Sequence, residues 1–206
     1  MKDNLILNER ADVGLVANRA TVDRLNFKGV YHVEHWRGGK LLRAFDVPNL
    51  ITNEGKNRAL NVMFHAAPQL TTWYIGLIAG PTAVPAAADI YANIRTDASG
   101  GNNWSEFVDY VDHANSDSAI TRPEWTEDAA GSQQISNSSQ VLFNIVTSQP
   151  SPSVYGLFLC AGTNAQTKAD HTSGSANCLW NAVAFTSGTV PVTNGDQLKV
   201  TYTVRA

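Results

Sequence analysis

The chain has 206 residues, 43% of them hydrophobic and 16% charged, with a formal net charge of −3. That length suffices for one domain with a buried core, with or without an arm, and the apolar fraction argues against disorder. The scattered Lys and Arg residues leave no basic footprint for nucleic acid, and no apolar run approaches the ~20 residues that span a bilayer.

Low charge together with many Asn, Ser, Thr, Ala and Gly residues suits a β protein with a neutral polar surface, or a subunit covered by its neighbours. The N-terminus carries a short Leu5-Ile6-Leu7 patch followed at once by Asn8-Glu9-Arg10, which does not read as a signal peptide. Residues 1–27 hold no sustained period of 2 or 3.6. They read as an arm or loosely packed segment, with a short irregular helix on the domain as the competing reading.

The β signal begins at residue 30. Residues 30–36 and 41–47 flank Arg37-Gly38-Gly39-Lys40, and two glycines supply the positive φ angles of a tight hairpin. Pro48 follows, and Thr52 or Asn53 then caps a helix over about 53–64, with Glu54 in its first turn. Leu60, Met63 and Phe64 share one helical face, expected to lie across a sheet, and Lys56 and Arg58 are left for solvent. Pro68 closes the segment.

Residues 72–79 are apolar on both faces and read as a strand buried between two layers. The stretch 80–103, rich in Ala, Pro, Gly, Asn and Asp, reads as a long loop of the kind that carries function or is held by a neighbour. Residues 104–111 are ambiguous between strand and helix, and 113–124 form another polar loop. Strands follow at 141–146, 154–161, 179–185 and 198–205. The last alternates cleanly, with Leu198, Val200, Tyr202 and Val204 inward, after an Asn194-Gly195-Asp196 turn. Many strands, turn-rich spacers and one good helix predict a mainly β domain over 28–206, a two-layer β-sandwich or jelly-roll-like fold.

The sequence lacks nucleophile-elbow, phosphate-loop, HExxH and paired CxxC motifs. On a strand His32 and Glu34 share a face while His35 points the other way. That leaves two ligands where a metal wants three or four, so hairpin-surface or subunit contacts are expected, with no metal and no cofactor. Asp109, Asp112, His113, Asp117 and Glu124 lack calcium-loop spacing and read as solvated loop residues, unless the fold makes a glycosidase pair of two carboxylates. Asp170 and His171 with Ser173 and Ser175 are triad ingredients only by adjacency in sequence. Cys160 and Cys178 read as buried, reduced thiols, with a bridge across paired strands as the alternative. Trp73 and Trp180 lie in strand contexts and read as core. Trp104 and Trp125 border loops and, with Arg122, are the candidates for binding a partner, core anchoring being the competing reading for each.

A Gly-turn hairpin, then residues 48–64 (PNLITNEGKNRALNVMF), then 73–77 (WYIGL), then an Asn-Gly-Asp turn before 198–204 (LKVTYTV), resembles a group of tailed-bacteriophage virion proteins. The likeness spans about residues 28–205 and rests on segment order and short phrases. It implies a non-enzymatic head decoration or cement subunit on the capsid surface of the virion, made in the bacterial cytoplasm. Its implied partners are the major capsid protein and further copies of itself, reached through residues 1–27 and the 80–103 loop, with no direct contact to nucleic acid or membrane. A receptor- or glycan-binding module of a tail fibre or spike is the alternative, favoured if Trp104 and Trp125 are exposed. A carboxylate-pair hydrolase is the weakest of the three readings.

Overall fold

The structure is a computed structural model that describes residues 27–80, 85–96, 104–172, 174 and 176–206. Strands β1 (Lys28–Arg37) and β2 (Lys40–Leu50) form the predicted hairpin. Gly38 and Gly39 both take positive φ at its tip, where a residue with a Cβ would be strained. Helix α1 (Asn53–Phe64) follows, then β3 (Trp73–Ala79), β4 (Ser105–Phe107), β5 (Tyr110–Asp112), β6 (Glu124–Trp125) and β7 (Gln134–Ser136). The chain ends with β8 (Val141–Ile145), β9 (Ser153–Val154), β10 (Gly156–Ala161), β11 (Cys178–Ala184), β12 (Val190–Pro191) and β13 (Gln197–Arg205).

Two antiparallel sheets make the sandwich. The first runs β2-β1-β13-β8-β5, with β7 pairing the end of β13, and the second runs β11-β10-β3-β4, with β6 pairing the start of β3. Period-2 alternation sends Tyr31, Val33, Val141, Phe143, Leu198, Val200 and Tyr202 from the first sheet into the shared core. There they meet Ile75, Leu77, Leu157 and Leu159 of the second. The ambiguous stretch at 104–111 proves to be two short strands, β4 in the second sheet and β5 in the first, so the chain changes layers between them.

The second sheet is covered on its outer face as well, which explains why β3 and β10 read as apolar on both sides. Tyr91, Ile94, Trp104 and Ala165 pack there on Ile78, Phe158, Cys160 and Leu179. The described part of the 80–103 loop, 85–96, thus forms part of a third layer. Its remainder, 81–84 and 97–103, lies outside the described residues, as does the expected arm apart from Phe27.

The sheets are joined at one edge. Ile51 bridges to Asn181, and the Thr52 amide donates to the Trp180 carbonyl at 2.9 Å. Behind that seam, the Tyr31 hydroxyl donates to Asn181 Oδ1 at 2.6 Å, and Asn181 Nδ2 donates to the Tyr202 hydroxyl at 2.7 Å. All three residues are fully buried, so a polar chain links the two layers through the core. Asn181→Leu strips both hydroxyls of a partner and is expected to cost about 1–3 kcal/mol. The check is the denaturant midpoint, and an unchanged midpoint would show the chain to be dispensable.

Helix α1 departs from its predicted orientation. Thr52 caps it as expected, accepting from the Gly55 amide at 3.0 Å. The face turned to β11 is set by Gly55, however, since a Cβ there would lie 2.8 Å from the Trp180 carbonyl oxygen. Leu60, Met63 and Phe64 are 49%, 56% and 76% exposed. Small residues allow the closest approach of helix to sheet, and that outcompetes the larger apolar stripe about 100° round the helix. Arg58, expected in solvent, instead reaches the Pro68 carbonyl at 2.5 Å.

Candidate docking groove

The partner-binding candidates Trp104, Arg122 and Trp125 are 1%, 0% and 5% exposed, so their burial fits the competing reading, core anchoring, and not a presented surface. Trp104 Nε1 donates to Asp89 at 2.8 Å beneath the third layer. Trp125 Nε1 lies 3.2 Å from both Asn137 Oδ1 and the Tyr202 carbonyl, holding β6 against the first sheet.

Arg122 clasps Glu106 with two bonds, Nε to Oε1 at 2.7 Å and Nη2 to Oε2 at 2.8 Å, and its Nη1 donates to the Ala165 carbonyl at 2.6 Å. Burial works against its charge, but the adjoining Glu106 carboxylate more than offsets this and holds the guanidinium well above its ordinary pKa. Beside it the Lys168 ammonium donates to the carbonyls of Val108, Tyr110 and Ala119, while burial lowers its pKa to about 8. These cations fasten the third layer to the sandwich.

The other candidates are dispersed. His32 contacts Asp46 at 2.7 Å on the outer face of the hairpin, whereas His35 points inward to Asp196 at 2.8 Å. Asp109 accepts from Thr147 and Gln149, Asp112 from Thr121, and Asp117 lies 3.0 Å from His113. Glu124 is exposed on β6. Asp170 accepts from the Tyr91 hydroxyl at 2.9 Å, and His171 contacts the Ala169 carbonyl; Ser173 and Ser175 lie outside the described residues. Among the described residues no three His, Cys, Asp or Glu side chains gather as a metal site would require. Cys160 and Cys178 are free and buried, and burial pushes the Cys160 thiol up to about 12.

What the surface does carry is an apolar groove at one end of the sandwich. Trp73 and Trp180, the tryptophans expected in the core, are only part-buried and meet edge to face at 5.8 Å. They separate two hollows. One, of about 220 Å3, opens between the sheets and is lined by Phe27, Trp125, Ile135, Leu159 and Val204. The other, of about 230 Å3, lies between Leu70 and the Ala59, Val62 and Met63 side of α1. Phe27 packs edge-on against Trp180, with ring centroids 5.7 Å apart.

The groove escaped sequence reasoning because it is assembled from the ends of strands in both sheets, the helix and the 65–72 connection. One signal was present: Gly55, Ala59 and Val62 mark the close-packing side of α1, which leaves Leu60 and Phe64 pointing away. Set beside known proteins, the chain matches no protein-family model and no curated protein.

Proposed function

We propose that the chain is a bacteriophage virion structural protein, a capsid decoration or cement subunit that binds the major capsid protein shell and stabilises the head without catalysing a reaction. The observation that carries this reading is the exposed apolar band of α1 at Leu60 and Phe64, held on the two-sheet β body. A band of this kind on a compact domain marks a surface that another protein covers. The low charge of the chain and its neutral polar loops suit closely packed subunits, and the segment order resembles virion proteins. A modest interface repeated over a shell stabilises it by mass action, since the subunit binds the assembled state, and avidity among copies adds to this.

Cryo-EM of purified virions tests the proposal. Copies distributed over the shell are expected, and copies confined to the tail overturn it. Particles lacking the protein are expected to lose infectivity sooner under heat or osmotic shock; equal robustness removes the stabilising role. The tail-fibre reading drew on exposed Trp104 and Trp125, and with both buried no observation favours it.

A further inference from the structure

We propose that the groove around Trp73 and Trp180 is the seat of the chain's own N-terminal segment, with Leu5, Ile6 and Leu7 lying against Trp73, Leu70 and Met63. Three observations converge on this occupant. The groove is mostly apolar, with Gln69 and Glu127 its polar residues, and one of its two hollows reaches between the sheets to the core residues Leu159 and Val204. Phe27, the first described residue, already lies in the groove against Trp180, so the preceding chain sets out from the groove itself. Within residues 1–26, positions 5–7 are the one run of three consecutive large aliphatic residues.

The tether favours the chain's own segment over that of a second copy. Nineteen residues, 8–26, separate Leu7 from Phe27. The random-coil relation gives about 25 Å for that many residues. Met63 lies eight residues along α1 from Gly55, or about 12 Å at 1.5 Å per residue, and Gly55 abuts Trp180. A tether matched to its span presents the segment at a millimolar effective concentration, far above that of another copy in dilute solution. Docking at this groove covers the Met63 side of α1 and leaves Leu60 and Phe64 outward, so the seat of the segment and the virion role fail or survive separately.

The test uses the full-length chain carrying Ile6→Cys and Met63→Cys, with native Cys160 and Cys178 buried. On mild oxidation at micromolar concentration, an intrachain disulfide is expected. It should form at least about tenfold faster than in an Ile6→Cys/Lys40→Cys control, whose second thiol sits at the hairpin tip, about 30 Å away along the ten residues of β1. Adding Leu5→Asp and Leu7→Asp should slow the reaction to the control rate. A disulfide-linked dimer, equal rates at positions 63 and 40, or indifference to the aspartates would each overturn the proposal.

Discussion

Arg122→Met is expected to destabilise the folded chain by about 3–5 kcal/mol, more than either Asn181→Leu or the loss of any single surface charge. Both partners of the Arg122–Glu106 pair are inaccessible to water, so the variant strands the Glu106 carboxylate in the interior with the Ala169 amide, at 2.6 Å, as a remaining donor. The Ala165 carbonyl loses a 2.6 Å donor as well. The guanidinium is thus the fastening between β4, the connection before β6 and the 162–170 loop. Urea unfolding should show a midpoint drop of the corresponding size, and hydrogen exchange should quicken first in 119–123 and 162–170. Removing the carboxylate as well, in Arg122→Met/Glu106→Leu, should recover part of the loss. The cost of an uncompensated charge then disappears, while the orphaned carbonyls still cost about 1–3 kcal/mol. A single variant within about 1 kcal/mol of the parent, or a double variant as unstable as the sum of the singles, would contradict this role for the guanidinium.

The same residue shows where the sequence was legible and where it was not. Strand β13 was plain, because alternation at period 2 is a local property and its inward residues are the ones that fill the core. The hairpin was plain for the same reason, and the helix cap was narrowed to Thr52 or Asn53, of which the structure takes Thr52. Arg122 and Trp125 read as partner-binding candidates with core anchoring as the competing reading, since charge and a neighbouring turn residue ordinarily mean solvent. The burial of Arg122 depends on Glu106, sixteen positions earlier in a stretch whose own structure was ambiguous, and a pairing of that kind leaves no local trace. The degree of burial of the tryptophans was hard to read for a related reason. Trp73 opens β3 opposite Ala161, the last residue of β10, and Trp180 is passed over by the register shift in the β10–β11 pairing, so each packs against the core while staying part-exposed. Trp104 borders a loop that folds back over the second sheet and is enclosed by it. Burial at a strand end is decided by what packs across it, not by the strand's own composition.

Acid should weaken this fold through Asp196 in particular. The side chain is buried in the turn before β13, where Arg37 Nε and Nη2 donate to its two oxygens at 2.7 and 2.8 Å. His35 Nε2 lies at 2.8 Å and the Thr193 amide donates at 2.9 Å. Burial alone raises a carboxyl pKa, but the bonds from Arg37, His35 and Thr193 outweigh it and hold Asp196 well below the usual carboxylate range. With the folded pKa depressed, the unfolded chain binds the proton more readily. The stabilisation is therefore complete above the unfolded value of about 3.9 and is lost as the pH falls below it, by about 1.4 kcal/mol per pH unit until the folded pKa is reached. Asp196→Asn removes the charge that Arg37 grips and is expected to cost about 2–3 kcal/mol at pH 7. At pH 3 the gap between parent and variant should narrow by about 1 kcal/mol, because the parent's Asp196 has by then lost part of its advantage. Urea titrations of both proteins at the two pH values decide the matter. A gap of the same size at pH 3 would mean that the Asn194-Gly195-Asp196 turn is held by its backbone bonds, Gly195 to the Ile145 carbonyl and the Ile145 amide to that of Asp196, rather than by the carboxylate.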